Sequence, residues 1–175
     1  MHSADMMEKW ESLDPRFRIL EAQVRVLVQR VSSAQVEVSG EVVGAIRSGL
    51  LLFVGLGKDS HPRDLVWMAR KICGLRIFAD DQGLMNQDVL QVQGGILAVS
   101  QFTLYGDCRK GRRPSFESSL DPEDASRLFD QFVEILKKES GVVVETGVFG
   151  ADMKVDLVND GPVTFWLEKE TGSDV

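Results

Sequence analysis

Val24, Val26 and Val28 alternate with Arg25, Leu27 and Gln29, and Val36 and Val38 carry the β-branched pattern onward. A two-residue period places alternate side chains on opposite faces of a strand, so this stretch predicts a half-buried strand. Gly40-Glu41 reads as a hairpin turn into a strand over 42–47, and Ser48-Gly49 leads to a buried strand over 50–56. Ser60 and Pro62 open a helix whose apolar positions, Leu65, Met68, Ala69 and Ile72, share one face. A strand over 75–78, a turn at Asp81-Gln82-Gly83 and a strand over 96–102 introduced by Gly94-Gly95 follow. Asp121 caps a second helix, with Pro122 at its first position, and Gly141 closes it. Its core face is Ala125, Leu128, Phe129, Phe132 and Leu136. Strands over 142–146, 153–158 and 163–167 complete the pattern. Many strands with two main helices and no repeating βαβ order predict a single α+β domain. Its sheet is expected to be largely antiparallel and curled toward a barrel.

The 175 residues suffice for one domain with its own core, and 43% hydrophobic with 27% charged residues is ordinary for a globular chain. The longest apolar run, Gly49–Leu56, is strand-sized and far below the roughly 20 residues that span a bilayer. Residues 1–23 are mixed and polar. Trp10, Leu13, Phe17 and Leu20 have near-helical spacing there, so the segment reads either as a short amphipathic helix or as a disordered extension. It carries acids and no apolar core of a secretory signal. Cys73 and Cys108 form no C-x-x-C and no disulfide framework, so they read as free thiols of a cytoplasmic protein.

A net charge of −7 argues against non-specific coating of nucleic acid. Against that background Arg109, Lys110, Arg112 and Arg113 place four cations within five residues. They read either as a solvated basic loop or as a contact for phosphates. The chain has only two histidines, His2 and His61, so no Ser-His-Asp or Cys-His constellation can be assembled. No ligand spacing for zinc, calcium or magnesium occurs. Gly55-Leu56-Gly57-Lys58 invites a phosphate-loop reading, but Leu52 and Asp59 stand where that motif needs Gly and Ser or Thr. Those glycines read as a strand-end turn. An enzyme of this sequence would work without a histidine base, a metal or a cofactor.

Two segments remain. Ser100, Gln101, Phe102 and Thr103 put polar groups at the end of an apolar strand. They read either as a strand terminus satisfying its own backbone or as amides and hydroxyls converging on a carbonyl. Asn159-Asp160-Gly161-Pro162 lies between two apolar runs and reads first as a hairpin turn.

Together these segments resemble the D-aminoacyl-tRNA deacylase family, first described as D-tyrosyl-tRNA deacylase, over roughly residues 24–168. The resemblance is carried by Gln29-Arg30-Val31-Ser32, by residues 71–78 with their Leu-Arg-Ile-Phe ending, and by Ser100, Gln101, Phe102 and Thr103. It continues through residues 109–116, Phe149-Gly150-Ala151-Asp152-Met153, and residues 159–164. The family implies a cytoplasmic homodimer in which the Gly161-Pro162 peptide is cis and projects into the partner's active site. There the two carbonyls would face the α-amino group of a bound amino acid and occupy the space an L side chain needs. Glycine offers no side chain to reject, so glycyl-tRNA(Ala) is an implied substrate beside D-aminoacyl-tRNA. The resemblance assigns Arg30, with Asn159 and Thr164, to support of the Gly-Pro motif. Backbone N–H groups at Ser100, Gln101, Phe102 and Thr103 would stabilise the oxyanion formed as water attacks the ester.

The absence of a base fits activation of water by the 2′-OH of the terminal adenosine. Thr103 as a covalent nucleophile is the rival mechanism, and it lacks an evident base. Phe149, Gly150 and Met153 would border the adenosine, and Arg109, Lys110, Arg112 and Arg113 would meet tRNA phosphates. Family members begin with Met-Arg where this chain has Val24-Arg25, so residues 1–23 are an extension or the product of a start codon read too early. Residues 169–175 read as a tail. An RNA-binding module of the same fold without activity, and an editing domain related to that of archaeal threonyl-tRNA synthetase, are the competing readings. The intact Gln101, Thr103 and Gly161-Pro162 speak against loss of activity, and a chain without a synthetase body favours a free-standing enzyme.

Overall fold

The computed structural model describes residues 24–169, so the readings made for residues 1–23 and 170–175 lie outside the described residues. The valine alternation forms β1 (Val24–Val38), which turns at Ser39-Gly40 into β2 (Glu41–Ile46) and then β3 (Gly49–Leu56). β1 is the spine of the sheet. One edge pairs antiparallel with β3 from Val24 to Val31 and with β2 from Ala34 to Val38. Its other edge pairs antiparallel with β8 (Lys154–Lys169), the last strand.

α1 (Pro62–Cys73) follows β3, and a small hairpin of β4 (Phe78–Ala79) and β5 (Met85–Gln87) leads to β6 (Gly95–Ser100). α2 (Pro122–Ser140) then leads to β7 (Val144–Thr146). β6 pairs parallel with β3, and β7 pairs parallel with β6. Gly44 of β2 lies against the Thr146 carbonyl of β7, which curls the sheet toward closure. The architecture is the expected α+β one, although two pairings in the main sheet are parallel, each spanning a helical crossover.

Two apolar cores follow from the strand period. Val24, Val26 and Val28 of β1 with Leu50, Leu52, Val54 and Leu56 of β3 meet Leu65, Met68 and Ile72 of α1 and Phe129, Phe132 and Leu136 of α2. Leu51, Leu97 and Val99, on the opposite faces of β3 and β6, fill the curl with Val31, Val36 and Ile46. α2 begins and ends as its sequence requires: Asp121 accepts from Glu123 N at 3.1 Å, and Gly141 takes the left-handed C-cap conformation at φ 63°. Among the described residues, no helix is long and apolar enough to cross a membrane.

The structure corrects several expectations. His61, not Ser60, caps α1, with its Nδ1 accepting from Arg63 N at 3.2 Å. The strand expected over 75–78 is reduced to Phe78–Ala79, because Ile77 is buried without joining a ladder. The strand expected to reach 102 stops at Ser100, where the chain tightens into a 3₁₀ turn, Phe102–Tyr105. Asn159–Pro162 is no hairpin turn. Both runs beside it stay on β1, with Asn159 opposite Val31 and Thr164 opposite Gln29, so β8 is one strand interrupted by a wide bulge. It also runs to Lys169, one residue past the expected boundary at 168.

Asp64 of α1 is 5% exposed, and its Oδ2 has no hydrogen-bond partner among the described residues. Burial raises its carboxyl pKa above the ordinary value, outweighing Arg63, His61 and Lys169, which favour the charged form. A raised folded-state pKa contributes stability that is fully present below the unfolded value of about 4 and is lost as pH rises through the folded value. The melting temperature of the parent protein should therefore fall relative to that of Asp64→Asn between about pH 4 and pH 7. Parallel melting curves across that range would refute this account of the group.

Candidate active site

β3, β6 and β7 run parallel, so their carboxyl ends open at one edge of the sheet, where backbone groups leave the ladder and face outward. At the end of β6, Gln101 N donates to Val54 O at 2.8 Å, the last tie to β3. The chain then forms the Phe102–Tyr105 turn. Its first bond is Leu104 N to Gln101 O at 3.3 Å, so the N–H groups of Phe102 and Thr103 are not taken up by the turn. Gln101 Nε2 donates to Thr103 Oγ1.

The turn is held firmly from behind. Tyr105 is 3% exposed, and its ring lies so close to Gly57 that a Cβ there would sit 2.7 Å from Cε1. Phe102, by contrast, is 58% exposed and meets the edge of Phe116 with ring centroids 4.9 Å apart. Ser119 Oγ donates to the Phe102 carbonyl at 3.2 Å. Gly57, Phe116 and Ser119 thus build the site but were not among its expected residues. The Gly-x-Gly at the end of β3 was the available signal, since glycine pairs there permit close backbone approach.

The carboxyl end of β7 continues into Gly147, whose N–H donates to Ala98 O at 3.2 Å, and on to Phe149 and Gly150. This brings the 149–153 segment to the same edge as Ser100–Thr103. Phe149 packs on Phe129 at a centroid distance of 6.2 Å and walls a cleft of about 320 Å³ beside α2. Gly150 takes φ 74°, and Met153 packs partly buried against the inner core. In the basic loop, Arg109 is occupied: its Nε and Nη2 donate to the Asp107 carboxylate at 2.9 and 2.7 Å. Those bonds hold the Asp107 carboxyl down to about 2. Lys110, Arg112 and Arg113 are exposed beside it.

The second segment lies elsewhere. Gly161-Pro162 is a cis peptide at the exposed crest of the β8 bulge. Arg30 holds it from the β1 side: Nε donates to Asp160 O at 3.0 Å and Nη1 to Ile77 O at 2.6 Å. Asn159 accepts from Val163 N at 2.8 Å and donates to Thr164 Oγ1 at 2.9 Å. Arg30, Asn159 and Thr164 are thus gathered at Gly161-Pro162, while Ser100–Thr103 are not. β1 and β3 stand between β8 and β6, which separates them laterally by roughly 14 Å. Ser100 is level with Val26 through Val54, whereas Asn159 is level with Val31, which adds roughly 16 Å along the strands.

Residues 27–168 match the protein family described as D-Tyr-tRNA(Tyr) deacylase. The chain belongs to this family. A D-aminoacyl-tRNA deacylase of Geobacter sulfurreducens is 53% identical over 150 residues, covering 86% of this chain and 98% of that protein. One of Chloroherpeton thalassium is 57% identical over 148 residues, covering 85% and 97%. The solved structure of a protein described as c-Myc DNA Unwinding Element Binding Protein is 39% identical and superposes with a TM-score of 0.79, covering 83% of this chain and 98% of that one. A probable eukaryotic D-amino acid tRNA deacylase shares the fold at 18% identity, with a TM-score of 0.74. The matched span of the deacylase family contains both the Ser100–Thr103 edge and the Gly161-Pro162 bulge.

Proposed function

We propose that the protein hydrolyses the ester bond of D-aminoacyl-tRNA, releasing the free D-amino acid, and that two copies of the chain complete each active site. The observation that carries this reading is the separation of the two segments. An exposed Gly161-Pro162 crest, braced by Arg30, cannot reach Ser100–Thr103 of its own chain across β1 and β3. A second copy can present that crest to the pocket, as an isologous dimer does twice by symmetry. The crest then contacts the α-amino group through main-chain oxygens and excludes an L side chain by its volume, whereas glycine of glycyl-tRNA(Ala) passes. We assign the activity to residues 24–169 in the cytoplasm, with 1–23 as an extension and 170–175 as a tail.

In the reaction, water attacks the ester carbonyl, its carbon becomes tetrahedral, and the developing oxyanion is held by the Phe102 and Thr103 N–H groups. Collapse expels the 3′-oxygen of the terminal adenosine. His61 uses Nδ1 to cap α1, and Thr103 Oγ1 receives a proton donor, the Gln101 amide, which opposes its activation as a nucleophile. Both contacts favour the substrate 2′-OH as the group that orients water, accepts its proton and passes its own proton to the departing 3′-oxygen. Phe149, Gly150 and Met153 border the adenosine, and Lys110, Arg112 and Arg113 meet phosphates. Arg109 is the weakest candidate there because Asp107 already neutralises it.

The deciding experiment compares D-tyrosyl-tRNA, L-tyrosyl-tRNA and glycyl-tRNA(Ala) as substrates of the full chain. Cleavage of the D and glycyl esters with the L ester intact is expected. Equal cleavage of the D and L esters overturns the proposed selectivity.

A further inference from the structure

Arg25 stands on the open face of β1 behind the 102–105 turn, about a quarter exposed. Its guanidinium makes three kinds of contact at once. Nε donates to Glu168 Oε1 of β8 at 2.7 Å, Nη1 donates to the Leu104 carbonyl at 3.1 Å, and Cζ lies over the Tyr105 ring, 4.3 Å from its centroid. Trp166 stands on β8 as well, 5.9 Å from the guanidinium carbon. Tyr105 in turn rests on Gly57, so the turn is pressed between the end of β3 and a cation fixed to β8. A planar fork that bonds two acceptors in fixed directions while stacking on a ring is specific to arginine, because an ammonium offers one point charge and no plane.

We propose that Arg25 is a positioning residue for the deacylation reaction: by anchoring the Leu104 carbonyl to Glu168 it fixes the turn and thereby the direction of the Phe102 and Thr103 N–H groups. The inference rests on the reading of those amides as the oxyanion donors. Neither residue touches the substrate, so the effect falls on turnover. Small misplacements of groups at a reacting centre cost up to about a hundredfold in rate.

The test measures kcat and KM for D-tyrosyl-tRNA with Arg25→Ala, Arg25→Lys and Glu168→Ala, beside backbone ¹⁵N relaxation of residues 102–105. Arg25→Ala should lower kcat about ten- to a hundredfold with KM within about twofold. Its order parameters across the turn should fall from the rigid value of about 0.85 toward 0.6. Arg25→Lys should recover part of the rate, and Glu168→Ala, which keeps the guanidinium and removes its anchor, should lower kcat several-fold. Unchanged kcat in both Arg25→Ala and Glu168→Ala overturns the proposal, as does a rigid turn in both. If Arg25→Ala does not fold, Glu168→Ala alone decides. A parent protein with no deacylase activity would sink the proposed function, and the relaxation measurements would still decide whether Arg25 holds the turn.

Discussion

Replacing Phe102 by proline should lower kcat for D-aminoacyl-tRNA about 10²–10³-fold below the value found with alanine at the same position. The pair of variants isolates one N–H group. Both remove the ring and its edge contact with Phe116, a contact worth roughly 0.5–1.5 kcal/mol. Only proline also removes the backbone donor. Gln101 sits at φ −145° and ψ 80°, outside the α region that a following proline disfavours. Phe102 opens the turn, whose first bond is made by Leu104 N, so no hydrogen bond of the fold is lost. Loss of a single oxyanion donor corresponds to about 2.7–4 kcal/mol of transition-state stabilisation, which is the source of the expected factor. Single-turnover rates of the two variants, with matching melting temperatures, supply the measurement. Equal rates would mean that the Phe102 amide does not face the reacting carbonyl.

How much of this was legible depended on whether the deciding contact was local. The period of Val24, Val26 and Val28 states a strand directly, and Asp121 with Pro122 and Gly141 states both ends of α2. Asn159–Pro162 shows the limit of local reading. The residues that build a hairpin turn also build a wide bulge, and the choice is made by which strand lies alongside on each flank. Here β1 does so on both flanks, which no local pattern records. Likewise Leu75–Ile77 carry strand-like side chains. The Ile77 carbonyl is instead taken by Arg30, more than forty residues earlier in sequence. Ser100–Thr103 and Gly161-Pro162 were recognisable because each is a contiguous motif. Gly57, Phe116 with Ser119, and Arg25 come from three separate segments that meet only on folding. Arg25 in particular looks like any outward cation in an alternating strand. The resemblance implied that the two motifs meet across subunits, but the strand order that keeps them apart within one chain is written in neither motif.

Because of that separation, two inactive variants should restore activity to each other. Gly161 takes φ 134°, and a Cβ there would lie 2.8 Å from Val163 Cγ2 and 2.9 Å from Arg30 Nη2. Gly161→Ala must therefore displace the guanidinium that holds Asp160 O, or move the crest itself, and D-ester cleavage should be lost. It leaves Ser100–Thr103 untouched. Phe102→Pro does the reverse, disabling the pocket while its crest stays intact. In a hybrid of the two, one site combines the intact pocket of the Gly161→Ala chain with the intact crest of the Phe102→Pro chain. The other site carries both lesions. Random exchange makes about half of the dimers hybrid, each with one working site of two, so the mixture should regain roughly a quarter of the parent activity. Co-expression with two different affinity tags allows the hybrid to be isolated, and its activity should approach half that of the parent. A crest acting on its own chain's pocket predicts no recovery, since every chain then carries a defective site. A purified hybrid no more active than either variant would thus refute assembly of the site from two copies, even if the parent protein cleaves D-aminoacyl-tRNA efficiently.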